Sequence, residues 1–121
     1  MKNPFLGFRQ YLLNKLIELG INKPKIVGTD SDLKTEFDIV NLEVEFTTQT
    51  ICQIIDDFLS KKYPNRFTRS NRFTRSNRIS ETSGIIVFDD LNDDDERFLQ
   101  IVLTCIIKEG KVWLAIRATY F

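Results

Sequence analysis

Arginine recurs at every third position between residues 66 and 78 of this 121-residue chain: Arg66, Arg69, Arg72, Arg75 and Arg78. The run is a tandem hexapeptide, Asn-Arg-Phe-Thr-Arg-Ser, which occupies 65–70, repeats over 71–76 and decays into a third copy at Asn77-Arg78-Ile79-Ser80. Guanidinium groups bind phosphates, and aromatic rings stack on unpaired bases for about 1–3 kcal/mol each. Phe67 and Phe73, each following an arginine, supply such rings. In a polyproline-II-like chain with three residues per turn, all five arginines project from one side. An α-helix wraps them around its axis, and a flat strand alternates them between faces. Arg66, Phe67, Arg69, Arg72, Phe73, Arg75 and Arg78 are therefore the candidate nucleic-acid or partner contacts. The competing expectation is a flexible basic loop over 65–82. Such a loop is too polar to fold alone and cheap to lengthen, and it can pair with the acidic segment that follows it.

That segment is Asp89-Asp90-Leu91-Asn92-Asp93-Asp94-Asp95-Glu96. Asp90, Asn92 and Asp94 have the alternate spacing of a calcium loop. The pattern then breaks, because Asp95 stands where the tight turn needs glycine and Ile101 where the bidentate glutamate belongs. No metal site is expected. Catalytic constellations are sparse as well. The chain has no histidine, which removes the commonest general base near neutral pH. Asp56 and Asp57 are adjacent on a helix and diverge. Glu43 and Glu45 share one face of an expected strand, about 7 Å apart, a spacing at which a carboxylate pair could do acid–base work. Their expected role is the wet face of a sheet. No catalytic residue, cofactor or metal ligand is assigned, and the chain is expected not to be an enzyme.

The elements that must position these groups are easier to read. Asn3-Pro4 opens a helix and Gly20 ends it, with Phe5, Phe8, Leu12, Leu13, Leu16 and Ile17 at helical spacing between them. The expectation is a helix over Pro4–Leu19. A connector containing Pro24 and Gly28 follows, with a short strand at Lys25-Ile26-Val27. Val40, Leu42, Val44 and Phe46 alternate with polar residues as a half-buried strand does. Thr47 or Thr48 then caps a second helix from Gln49 to Lys62, closed by Pro64. Gly84-Ile85-Ile86-Val87-Phe88 is a strand. Arg97–Phe121 reads as two long strands joined at Glu109-Gly110, with Lys108 opposite Lys111. This register puts Leu99, Ile101, Leu103, Cys105 and Ile107 on one face with Val112, Leu114, Ile116, Ala118 and Tyr120. The other face carries Phe98, Ile106, Trp113 and Phe121, a candidate apolar patch for a partner if no helix covers it.

The length suits a single domain with its own core. The expected class is α+β: two helices on one face of a four- or five-stranded, mainly antiparallel sheet ending in a C-terminal β-meander. Net charge is zero, so no global field favours nucleic acid. The charge is polarised, however, between the basic stretch at 61–78 and the acidic one at 89–96. Cys52 and Cys105 fall at apolar positions and are expected to be reduced, buried thiols. No apolar leader and no run of about 18 apolar residues is apparent, so a cytoplasmic location without membrane contact is expected. The functional expectation is a small, soluble, non-catalytic binding protein of inhibitor, immunity or regulatory type. Its expected partner is a protein or a second copy. The alternative is a single-stranded nucleic-acid module built on the arginine repeat.

Overall fold

The C-terminal hairpin forms in the register that side-chain alternation dictates, and the rest of the sheet grows from it. In a computed structural model that describes residues 3–39, 44–76, 80–92 and 97–121, with the backbone alone at Glu45, β5 (Phe98–Lys108) pairs with β6 (Lys111–Tyr120). Lys108 lies opposite Lys111, Cys105 opposite Leu114 and Leu99 opposite Tyr120. Glu109 and Gly110 have φ of 53° and 77°, the two positive values that let a two-residue turn follow the strand twist.

The remaining strands are β1 (Lys25–Thr29), β2 (Asp32–Asp38), β3 (Phe67–Ser76) and β4 (Ser80–Asp90). Among the described residues they form one six-stranded antiparallel sheet in the order β1-β2-β6-β5-β4-β3. The expected α+β class holds, with six strands in place of four or five. Helices α1 (Phe8–Glu18) and α2 (Val44–Lys62) pack on one face. The core lies between them and the sheet. Phe5, Phe8, Leu12 and Leu16 meet Phe58 and Ile55 there, above Leu33, Ile86, Leu99, Ile101, Leu103, Val112 and Leu114.

Several elements differ from the sequence expectation, each for a physical reason. Helix α1 begins at Phe8, not Pro4, because Gly7 is left-handed (φ 87°) and breaks the run. Its cap comes from a distant residue: Asp30, in the β1–β2 turn, accepts from the N–H groups of Gly7 (3.1 Å) and Arg9 (2.9 Å). A carboxylate there satisfies free amides and faces the positive end of the helix dipole. The strand expected at 40–46 is not formed over its described part, since α2 already includes Val44 and Phe46. Val44 is buried and Phe46 is 54% exposed. A strand would place both on one face, whereas helical spacing groups Val44 with Thr47, Thr48, Ile51 and Cys52. Thr48 is no cap; its hydroxyl donates to the Val44 carbonyl one turn back (2.8 Å). The strand that does form here is β2, whose Leu33, Thr35 and Phe37 are buried in alternation with Asp32, Lys34, Glu36 and Asp38.

The largest correction concerns the expected flexible basic loop at 65–82. Residues 67–76 form edge strand β3, paired without a slip to β4 from Phe67–Asp90 to Ser76–Glu81. Gly84 makes the close approach possible. A Cβ there would collide with the Arg72 carbonyl oxygen and the Phe73 ring, which lies over the glycine from across the ladder. Gly84→Ala is therefore expected to push β3 off the sheet edge. Urea unfolding should show a loss of about 1–3 kcal/mol, the cost of overpacking a fitted site, with faster amide exchange along β3. Unchanged exchange there would show that β3 does not depend on the glycine.

Candidate functional site: the helix-free face and the basic edge

Because both helices sit on one side, the opposite face of the sheet has no cover among the described elements. Strand alternation sorts the residues onto it. Along the middle row Arg72, Ile85, Val102, Arg117 and Asp32 are successive cross-strand neighbours from β3 to β2. Ile85 and Val102 are each 41% exposed. Toward the β5–β6 turn, Ile106 pairs with Trp113, flanked by Glu81 and Glu36. At the far end the Phe98 and Phe121 rings lie 4.7 Å apart. Phe98, Ile106, Trp113 and Phe121, which the sequence placed together, do share this face. Val102, which the hairpin register already puts on this face, lies among them, and Ile85 and Val87 of β4 join as apolar members that sequence reasoning left out. The missing signal was the register of β4, which an apolar run such as Ile85-Ile86-Val87 does not reveal by itself. The face is thus apolar at Ile85, Val87 and Val102 on β4 and β5 and at the Ile106–Trp113 pair, with Arg117 on β6 and charged residues along β2 and β3 beside them.

The arginine repeat does not present a single cationic side. In strand β3 the residues alternate, so Arg72 lies on the helix-free face and Arg69 and Arg75 on the other. Phe67 and Phe73 turn toward the core. Phe67 makes edge contacts with Tyr63 and Phe88, and both phenylalanines pack against the buried cluster. Both rings are partly buried, Phe73 keeping some surface toward the gap between β3 and α2. Arg69 is paired with Asp56 on α2. Arg78 lies outside the described residues. So do Glu43 and Asp94; Glu45 is in a helix, which removes the strand spacing that brought it beside Glu43.

Arg66 pairs with the acidic segment, as the sequence allowed, in a cluster whose member Tyr120 the sequence did not foretell. Arg66 Nε and Nη2 donate to Asp90 Oδ2 at 3.0 and 2.7 Å, Tyr120 Oη donates to the same oxygen at 2.7 Å, and the Asn92 amide donates to Oδ1 at 3.0 Å. The Asp90 side chain is fully buried. Burial alone would raise its pKa, but the hydrogen bonds from Arg66, Tyr120 and Asn92, with the Arg66 charge, outweigh it and hold the carboxyl below the usual carboxylate range. Burial, then the bond to Asp90, pushes the Tyr120 phenol upward. Asp90, read as a candidate calcium-loop position, is instead the tie between β3, β4 and β6. Among the described residues no group of carboxylates and thiols is gathered to hold a metal. Cys52 and Cys105 are free and buried, and burial pushes each thiol up to about 11, so neither is a nucleophile at neutral pH.

A groove of about 410 Å³ runs between α2 and β3, lined by Gln49, Cys52, Gln53, Asn71, Phe73 and Thr82 among others. Thr82 is 5% exposed and its hydroxyl has no partner among the described residues. The chain matches no protein-family profile, no curated protein and no solved structure. Among the described residues no helix is long and apolar enough to cross a membrane.

The Asp90 cluster fixes a pH dependence. A carboxyl whose folded pKa is depressed contributes fully above its unfolded value, about 4, and loses that contribution as pH falls through the folded value. Tyr120, raised on folding, contributes fully below about pH 10 and loses it at higher pH. Asp90→Ala, which strands Arg66 and Tyr120, should cost about 3 kcal/mol at pH 7. It should also flatten the fall in stability below pH 4 measured by urea titration. An equally steep acid limb in the variant would assign it to other carboxylates.

Proposed function

We propose that this protein is a non-catalytic binding protein that works through the helix-free face of its sheet, and that the surface seated there is a second copy of the chain. The observation that carries the reading is the exposure of Ile85 and Val102 at the centre of a face ringed by charge. Exposed apolar patches with polar margins mark interaction surfaces. A cytoplasmic location fits the two free buried thiols.

Charge placement favours a second copy. Aligned sheets stack face to face about 10 Å apart, rotated by about 30°. A two-fold axis running along β5 over Val102 sets β3 of one copy over β2 of the other. Arg72 then faces Asp32 of the second copy, while Val102 and Ile106 meet their own equivalents. An axis across the strands would instead oppose Arg117 to itself and Glu81 to Asp89, which like charge disfavours. The nucleic-acid reading draws less support, because Phe67 and Phe73 pack inward and Arg66 and Arg69 are held in ion pairs. Among the described residues an enzyme reading has no assembled acid–base pair to draw on.

Sedimentation velocity over a concentration series tests this. The wild type should dimerise, and Trp113→Ala should weaken dimerisation about tenfold or more, as loss of a buried aromatic anchor does. Arg72→Asp should weaken it too, and adding Asp32→Arg should restore it. A wild type that stays monomeric, or dimerisation untouched by all three variants, would sink the proposal.

A further inference from the structure

The outer edge of β3 and the groove beside it carry a second inference, independent of the helix-free face. Among the described residues β3 has a hydrogen-bonded neighbour on one side only, since it ends the sheet order. Its ladder to β4 is continuous over 10 residues with no bulge. The Leu91 N–H donates to the Arg66 carbonyl (2.7 Å). By antiparallel alternation the even-numbered residues of β3 bond β4, and the backbone groups of Phe67, Arg69, Asn71, Phe73 and Arg75 point outward. A long, straight edge of this kind is a template for another strand.

Natural edges are often blunted by charged side chains, proline, bulges or a covering element, and of these β3 carries charge alone, in its arginines. Here residues 67–76 contain no proline and no glycine. Helix α2 packs over β4 and β5 and leaves a groove between itself and β3. A strand added at β3 would send alternate side chains toward that groove. Its walls suit a modest apolar side chain with polar surroundings: Phe73 and Cys52 offer apolar surface, Gln49, Gln53 and Asn71 offer amides, and the Thr82 hydroxyl is unpartnered among the described residues. Extended peptides bind other proteins in this way, with main-chain bonds giving affinity and pockets for alternate side chains giving selectivity.

We infer that the β3 edge and the α2–β3 groove form a strand-addition site for an extended acidic protein segment that carries alternating apolar residues. The charge argument is local. With the apolar side chains of an added strand in the groove, its acidic ones lie on the helix-free side, where β3 presents Arg72 among the uncharged Thr68, Ser70, Thr74 and Ser76, and the groove wall on α2 is neutral at Gln49 and Gln53. Arg69 is engaged by Asp56 through one Nη, which leaves further donors on its guanidinium fork. A glutamate-bearing strand alongside meets this positive edge, and a lysine-bearing one is repelled by it. The hexapeptide repeat gains a role here. Six is an even number, so each copy returns phenylalanine to the inner face and extends the same edge by three pleats.

The test uses the full chain and a fluorescent probe, acetyl-Thr-Glu-Val-Glu-Val-Glu-Val-Thr-amide, with its lysine-for-glutamate counterpart and oligo-dT as comparators. The acidic peptide should bind saturably, weaken with salt and slow amide exchange at Arg69, Asn71 and Phe73; the lysine peptide should not bind. Asn71→Pro removes one outward N–H at a position where an edge strand accepts proline, and should lower affinity by about tenfold or more. Gln49→Trp, an exposed helix position that narrows the groove without touching the core, should also weaken binding. This second variant decides the matter if the proline variant fails to fold by circular dichroism. Equal binding of both peptides, undiminished binding to both variants, or binding of oligo-dT with none of the acidic peptide would overturn the inference. Dimerisation through the helix-free face is read separately by sedimentation, so neither result stands in for the other.

Discussion

A single constraint shapes this molecule: two helices must bury the apolar side of a six-stranded sheet from one face. The chain leaves the β1–β2 hairpin at one side, and its next strand, β3, lies at the opposite edge. Helix α2 is the connection, and it crosses the face that it covers. Its Ile51, Ile55, Phe58 and Leu59 are buried against β4 and β5. The return path is a meander through β4, β5 and β6, which closes on β2. With α1 and α2 both committed to one side, the other face has no cover among the described residues. The reach of α2 also stops short of β3, and the groove results. Face, edge and groove are consequences of one packing arrangement.

The arginine repeat illustrates how tertiary context chooses among local conformations. Taken alone, a period of three in arginine suits an extended, solvated helix of the polyproline type. In the fold the same residues meet β4, whose free backbone groups offer a full ladder. The strand conformation then satisfies every second peptide group and turns Phe67 and Phe73 onto the core. The arginines are distributed by that choice. Arg66 locks onto the buried Asp90 and Arg69 onto Asp56, so two guanidinium groups fasten the edge strand. Buried or half-buried pairs of this kind add little net stability over apolar packing, but breaking one partner leaves a charge stranded. Their effect is to fix where β3 lies.

Much of the candidate face was legible in advance. Alternation in 98–121 and the Glu109-Gly110 turn specify the hairpin register, because a slip of one residue would turn the whole apolar wall outward. That register alone puts Phe98, Ile106, Trp113 and Phe121 on one side. The apolar stripes of both helices were legible as well. What the residues could not say was which side of the sheet the helices would take together, and so whether the patch would be covered. Ile85 and Val87 could not be assigned to a face, since a continuous apolar run fits either alternation.

The elements misread share a cause. At 40–46 two periodicities overlap, and the buried side of Val44 is decided by its neighbours on α2 rather than by the alternation around it. β2 was hidden because Thr35 occupies a core position that a hydrophobic pattern does not count. β3 was hidden because its residues are almost wholly polar, and its order comes from the strand beside it. By itself, then, the sequence determined those segments whose burial is written in local periodicity: the hairpin, the helical stripes and the polarised charge. Only the tertiary structure decided the segments held by long-range hydrogen bonds and ion pairs, which are the edge strand, the Arg66–Asp90–Tyr120 tie and the open face. Backbone pairing and charge pairing depend on what arrives from elsewhere in the chain, and no local window contains that information.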